Sequence, residues 1–149
     1  KPYLTGISQF HFNISHTRNA IAVAVANERI GIDIECIKTI DFNIARRFFT
    51  DKERLFIQGE ADKENETNKR FYEIWTQKEA YIKFMGKGLS IPLGSFDVTK
   101  SSINDIVFCV EKNGYIISVC GLDVRKKSNK GIVELSEIDL LEMVLAALK

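Results

Sequence analysis

The chain has 149 residues, 45% of them hydrophobic and 28% charged, and its 21 lysines and arginines nearly cancel its 20 acidic residues to a formal net charge of +1. That length suits one compact domain or a domain plus part of another, with enough apolar residues for a sizeable core. The charge balance gives no support for nucleic-acid binding, which requires a strongly basic face, so any anionic ligand must be held by local placement of charge.

The three cysteines, Cys36, Cys109 and Cys120, are odd in number and lack metal-ligand spacing. They read as reduced thiols of a cytoplasmic protein. No apolar stretch approaches the length of a membrane span, and no basic-plus-apolar signal segment opens the chain. The first residue is Lys1 rather than a methionine, which reads as a processed or trimmed piece of something longer.

Residues 20–27 (AIAVAVAN) place β-branched residues on alternate positions, the pattern of a buried strand. A short turn around Glu28 and Arg29 leads into residues 30–35 (IGIDIE), expected as its hairpin partner. Within 41–49, Ile44, Ala45, Phe48 and Phe49 sit at helical spacing. Thr50-Asp51-Lys52-Glu53 has the form of a capping box that starts a second short helix. Residues 60–69 are polar and charged and are expected as a surface connection. The strongest helical pattern runs from about 68 to 85, where Phe71, Ile74, Trp75, Ile82 and Met85 form one stripe. Gly86-Lys87-Gly88 ends it by supplying backbone freedom. Strands are expected at 95–99, 106–111 and 115–121, the last two joined by Lys112-Asn113-Gly114, a good hairpin turn. Ser136, followed by Ile138, Leu141, Val144, Leu145 and Leu148, reads as an N-capped final helix. There is no internal repeat, and the whole is α+β with antiparallel pairing.

Two features carry chemistry. Asp33-Ile34-Glu35 ends an apolar strand, and strand alternation points both carboxylates to one face, about 7 Å apart. Such a pair repels unless a cation lies between the charges or water screens them, and a solvated strand end is the plainer account. In Trp75-Thr76-Gln77-Lys78-Glu79-Ala80-Tyr81-Ile82-Lys83, Lys78 projects from the apolar stripe, where a lysine commonly snorkels to solvent. Glu79 and Lys83 are neighbours one turn apart on the flank of the same helix, which is also the arrangement of an ordinary surface salt bridge.

Four blocks together resemble the Sfp-type 4'-phosphopantetheinyl transferases, of the holo-carrier-protein synthase superfamily. They are Lys1-Pro2 with Tyr3; Phe12-Asn13-Ile14-Ser15-His16-Thr17; Gly31-Ile32-Asp33-Ile34-Glu35; and the tryptophan-to-lysine block over 75–83. Ile44-Ala45-Arg46-Arg47-Phe48-Phe49 and Gly86-Lys87-Gly88-Leu89-Ser90-Ile91-Pro92-Leu93 also resemble the family. The match is good over roughly residues 1 to 98 and loose in the tail.

The resemblance implies the two-halved fold of that family: an antiparallel sheet with a long packed helix, residues 1–29 closing the first half and 30–149 forming the second, with most of the first half absent. It implies transfer of 4'-phosphopantetheine from coenzyme A to a serine of an apo carrier protein, with 3',5'-ADP leaving. Asp33, Glu35 and Glu79 would surround one Mg2+, a hard cation that keeps water and substrate phosphate in its shell. Glu79 would take the serine proton, directly or through water, and Lys83 would stabilise or protonate the leaving phosphate. Lys78 would contact the phosphate beside the metal, and Ser15, His16 and Lys1 would hold the 3'-phosphate of coenzyme A. Ser15-His16 could instead cap the turn into the following strand. The carrier would be an acyl carrier of fatty acid synthesis or one of the carriers of peptide and polyketide synthases. Arg46 and Arg47, if exposed, could meet its acidic helix. A non-catalytic carrier-binding module and a Mg2+-dependent phosphohydrolase are the alternatives. Because the 20–27 strand is too apolar to be left bare, the chain is expected to self-associate or to pair with the missing N-terminal half.

Overall fold

The computed structural model describes residues 11–59, 64–122, 124, 135, 136 and 139. The Lys1-Pro2-Tyr3 block and nearly all of the expected final helix lie outside the described residues. At that helix's expected start, Ser136 and Asp139 exchange capping-box bonds: the Ser136 amide donates to Asp139 Oδ2 at 2.8 Å and the Asp139 amide to Ser136 Oγ at 3.1 Å.

Strands β1 (His11–Thr17) and β2 (Ala20–Ala26) form an antiparallel hairpin. Asn19 takes the left-handed conformation (φ 58°) in its tight turn, a conformation that asparagine tolerates better than most residues. A second sheet has the order β3 (Gly31–Cys36), β5 (Tyr115–Cys120), β4 (Val107–Lys112), antiparallel throughout. The β4–β5 turn has Asn113 at φ 53° and Gly114 at φ 79°, the two positive values that an Asn-Gly hairpin provides. The α+β antiparallel expectation is met.

Between β3 and β4 lie α1 (Phe42–Phe48), α2 (Asp51–Gln58), α3 (Glu64–Met85) and the single turn α4 (Ser101–Asn104). Asp41 caps α1 by accepting from the Asn43 amide at 2.9 Å. The expected capping box opens α2: the Thr50 amide donates to Glu53 Oε2 at 2.8 Å and the Glu53 amide to Thr50 Oγ1 at 3.4 Å. On α3, Phe71, Ile74 and Ile82 are buried as their spacing predicts. The Phe71 ring stacks on Trp75 at 6.0 Å and meets Phe49 at 5.2 Å, tying α3 to the end of α1.

Three expectations are corrected. Strand β3 is not the hairpin partner of β2; β2 pairs with β1, and β3 pairs with β5 far along the chain. The small Ala22, Ala24 and Ala26 let β2 lie face-on against Ile30, Ile32, Ile117 and Val119 instead of adding to their sheet. Residues 64–69 are not a connection but the opening of α3, where Glu64 and Glu66 stand in the first turn and favour the positive end of the helix dipole. Residues 95–99 form no strand, because side chains take their backbone groups: Lys78 Nζ donates to the Leu93 and Phe96 carbonyls, Glu53 accepts from the Val98 amide, and Asp97 accepts from the Thr99 amide.

Helix α3 crosses β3 at its first residue. A Cβ on Gly31 would stand 2.1 Å from the Ala80 carbonyl oxygen and 2.5 Å from the Phe84 amide nitrogen, both backbone atoms with no freedom to turn away. Only glycine allows this approach. Gly31→Ala is therefore expected to cost at least the ~1–3 kcal/mol of ordinary overpacking, read as a lowered melting temperature. An unchanged melting temperature would refute the contact.

Candidate functional site

The close crossing at Gly31 decides which side chains meet. Alternation along β3 sends Asp33 and Glu35 to the face that Gly31 presents to α3. One turn past Glu79 on that helix, Lys83 reaches the strand. Its Nζ donates to Asp33 Oδ1 at 2.7 Å, to Ser15 Oγ at 2.9 Å and to the Ile32 carbonyl at 2.9 Å, using all three of its hydrogens. Ser15 in turn donates to Asp33 Oδ1 at 2.8 Å. Thr17, two residues along β1, donates to Glu35 Oε2 at 3.0 Å.

Asp33 is buried, and its other oxygen, Oδ2, has no hydrogen-bond partner among the described residues. Burial raises the Asp33 pKa above the usual carboxylate value, although Lys83 and the hydroxyl of Ser15 oppose the shift. The Glu79 pKa is also raised, first by burial and then by the negative charge of Asp33; Glu35 adds to the rise and Lys83 counters it. The three carboxylates thus share one electrostatic neighbourhood. Convergence on a single point, expected from the sequence, is not seen: among the described residues no three His, Cys, Asp or Glu side chains are grouped closely enough to hold one metal ion. The donor chemistry nevertheless fits Mg2+, which takes hard oxygens, makes do with one or two carboxylates and completes its shell with water and phosphate. An orphaned buried carboxylate oxygen is a costly feature that a cation would relieve.

The remaining expected residues divide. Ser15 and His16 are adjacent on β1 and so face opposite ways; Ser15 is buried in the Asp33–Lys83 network, whereas His16 is exposed. They do not share one pocket, and Ser15 caps no turn. Lys1 lies outside the described residues. Lys78 does not snorkel, and its bonds end inside the fold instead of on an open surface. It is wholly buried, 2.8 Å from an equally buried Glu53, with its other hydrogens on the Leu93 and Phe96 carbonyls. Burial lowers its pKa, and Glu53 opposes that shift. Two contributors escaped the sequence reading. Thr17 was visible only as the third polar residue of the alternating series Asn13, Ser15, Thr17. The burial of Glu53 was hidden behind its role in the capping box.

A family model described as the 4'-phosphopantetheinyl transferase superfamily matches residues 29–129, well over half the chain. The chain belongs to that superfamily. This phosphopantetheinyl transferase relative is 35% identical over 147 residues to the 4'-phosphopantetheinyl transferase gsp of Aneurinibacillus migulanus, covering 91% of this chain and 61% of that protein. Against the 4'-phosphopantetheinyl transferase Sfp of Bacillus subtilis strain 168 it is 44% identical over 98 residues, 66% of this chain and 43% of the relative. Against the 4'-phosphopantetheinyl transferase HetI of a Nostoc species it is 39% identical over 82 residues, 53% of this chain and 34% of the relative. In each case the chain spans less than two thirds of the relative's length. No helix among the described residues is long and apolar enough to cross a membrane.

The placement of Lys78 can be tested. Lys78→Met leaves Glu53 buried without its counter-charge and is expected to cost about 3–5 kcal/mol, while pairing it with Glu53→Gln should recover part of the loss. A surface phosphate contact would leave thermal stability untouched, so an unshifted melting temperature for Lys78→Met would overturn the buried pair.

Proposed function

We propose that this chain carries the Mg2+-dependent transfer of 4'-phosphopantetheine from coenzyme A to a serine hydroxyl of an apo acyl or peptidyl carrier protein. The reaction joins the serine oxygen to the phosphorus bearing pantetheine and releases 3',5'-ADP, the serine proton passing to a base. The observation that supports this reading most directly is the orphaned Asp33 Oδ2 beside Glu79 and Lys83. Family membership supplies the reaction class.

Asp33, Glu35 and Glu79 line the neighbourhood in which one or two carboxylates, with water and phosphate, would hold the Mg2+, whose chemistry is to neutralise charge on the phosphate oxygens. Glu79 is the proposed general base. Its pKa is raised by burial and by Asp33, which brings it closer to what a base working near neutrality requires. Lys83 sits one turn away with its ammonium held by Asp33, Ser15 and the Ile32 carbonyl, and is proposed to exchange one of these bonds for a phosphate oxygen. Such chemistry is accelerated mainly by alignment and charge neutralisation, which suits a cluster already locked by hydrogen bonds. His16, being exposed, is the proposed contact for the 3'-phosphate of coenzyme A, and Lys1, outside the described residues, is the proposed second contact. Arg46 and Arg47 are exposed on α1 and are proposed to meet an acidic carrier helix. A cytoplasmic setting is consistent with three cysteines that stay free thiols.

The chain is to be incubated with coenzyme A, Mg2+ and an apo carrier, and the carrier weighed by mass spectrometry. A carrier heavier by phosphopantetheine, lost on chelation of the metal, is the expected result. Binding without transfer would make this a carrier-binding module, and free phosphopantetheine would make it a phosphohydrolase. Glu79→Gln should slow transfer by roughly 100-fold or more.

The outer face of the β1–β2 hairpin exposes Ile14, Ile21, Val23 and Val25, Ile21 by 75% and Val25 by 61%. Association through this face, with a copy or with a companion segment, is proposed on that ground. Sedimentation at roughly tens of micromolar, the range of weak contacts, should show a species heavier than one chain. A lone, well-folded monomer would remove the proposal.

A further inference from the structure

Strand β1 presents Asn13, Ser15 and Thr17 on one face, and each meets a successive part of β3. The Ile32 amide donates to Asn13 Oδ1 at 3.2 Å, Ser15 Oγ donates to Asp33 Oδ1 at 2.8 Å, and Thr17 Oγ1 donates to Glu35 Oε2 at 3.0 Å. The first bond ends on backbone and serves the free edge of β3. The other two end on the site's carboxylates.

Thr17 differs from Ser15 in what it leaves its partner. Asp33 is held twice over, by Ser15 and by Lys83. Glu35 is half-buried at the end of its strand, and among the described residues the Thr17 hydroxyl is the hydrogen-bond donor its carboxylate meets. A glutamate has three side-chain torsions and much rotamer freedom to lose. A β-branched threonine on a paired strand is stiff at χ1 and offers its hydroxyl from a fixed point. The strand pairing of Thr17 with Ala20 sets that point at the hairpin's turn.

From this we infer that Thr17 is a positioning residue: its hydroxyl aims the Glu35 carboxylate at the divalent cation of the site. The inference rests on the cation reading proposed above and deepens it. Groups that orient a metal's ligands typically change its affinity 10- to 100-fold when removed, whereas a threonine that merely fills space is replaced by the isosteric valine without effect on metal binding.

The test uses Mn2+ as the probe, its binding to the full chain followed by electron paramagnetic resonance, with and without coenzyme A. Thr17→Val is expected to bind Mn2+ about 10-fold more weakly and Thr17→Ser to restore most of the affinity. Asn13→Ala, which loosens the same strand contact away from the carboxylates, should lower the melting temperature but keep the affinity. A valine variant that binds like the wild type, a serine variant as weak as valine, or an equal loss in Asn13→Ala would each overturn the role of Thr17. If the wild-type chain binds no Mn2+ under either condition, the cation reading itself fails and the inference falls with it. Wild-type binding alongside an unaffected valine variant leaves that reading standing and removes Thr17 alone.

Discussion

The buried ion pair between Lys78 and Glu53 sets how everything else is arranged. Neither side chain is exposed, and their charged atoms lie 2.8 Å apart. Removing two charges from water is expensive, and attraction repays it only when the remaining hydrogens and lone pairs are also satisfied. Here they are: Lys78 also donates to the Leu93 and Phe96 carbonyls, and Glu53 also accepts from the Thr50 and Val98 amides. One pair therefore joins the start of α2, the middle of α3 and the irregular segment after α3. It also fixes the rotation of α3. Each helical residue turns by about 100°, so clamping Lys78 on one side commits Glu79 and Lys83 to another, where β3 runs.

With the rotation fixed, Gly31 sets the distance. The α3 backbone lies against β3 at Ala80 and Phe84, closely enough for the Lys83 ammonium to bond the Ile32 carbonyl and Asp33 together. The result is a site whose own electrostatics are unfavourable. Asp33 and Glu79 both have raised pKa values, burial being the largest cause, and Lys83 offsets only part of the rise. A fold optimised for stability alone would not bury a carboxylate oxygen without a partner. Local rules broken in one place and obeyed around it are the mark of a site kept for chemistry.

How much of this was legible in the sequence depended on how local each signal was. The α3 stripe, the Thr50–Glu53 capping box and the Asn113-Gly114 turn rest on neighbours a few residues apart, and all three appear in the structure. The carboxylates of β3 and the Glu79–Lys83 pair were named from strand alternation, helical spacing and family resemblance, and the structure brings them into one neighbourhood. What failed was set by distant partners. Nothing near Lys78 announces that Glu53, 25 positions back, will bury with it. Nothing within 95–99 announces that Lys78 and Glu53 will take backbone groups a strand would have used. Strand β3 looked like the partner of β2 because they are adjacent in sequence, while its true partner β5 lies beyond four helices and β4.

The alternation in β2 carries one more physical lesson. Its inward residues are Ala22, Ala24 and Ala26, and its outward residues are Ile21, Val23 and Val25. A strand packed only on the sheet beneath it would point its larger apolar groups inward, since each buried valine or isoleucine is worth roughly 1.5–3 kcal/mol. Here the order is reversed. Small inward residues let the hairpin approach β3 closely enough for Ser15 and Thr17 to reach Asp33 and Glu35. Bulky outward residues put the larger hydrophobic contribution on the far side. The same alternation that sets the carboxylates in place thus gives the hairpin two faces suited to packing, one spent on the site and the other turned away from it.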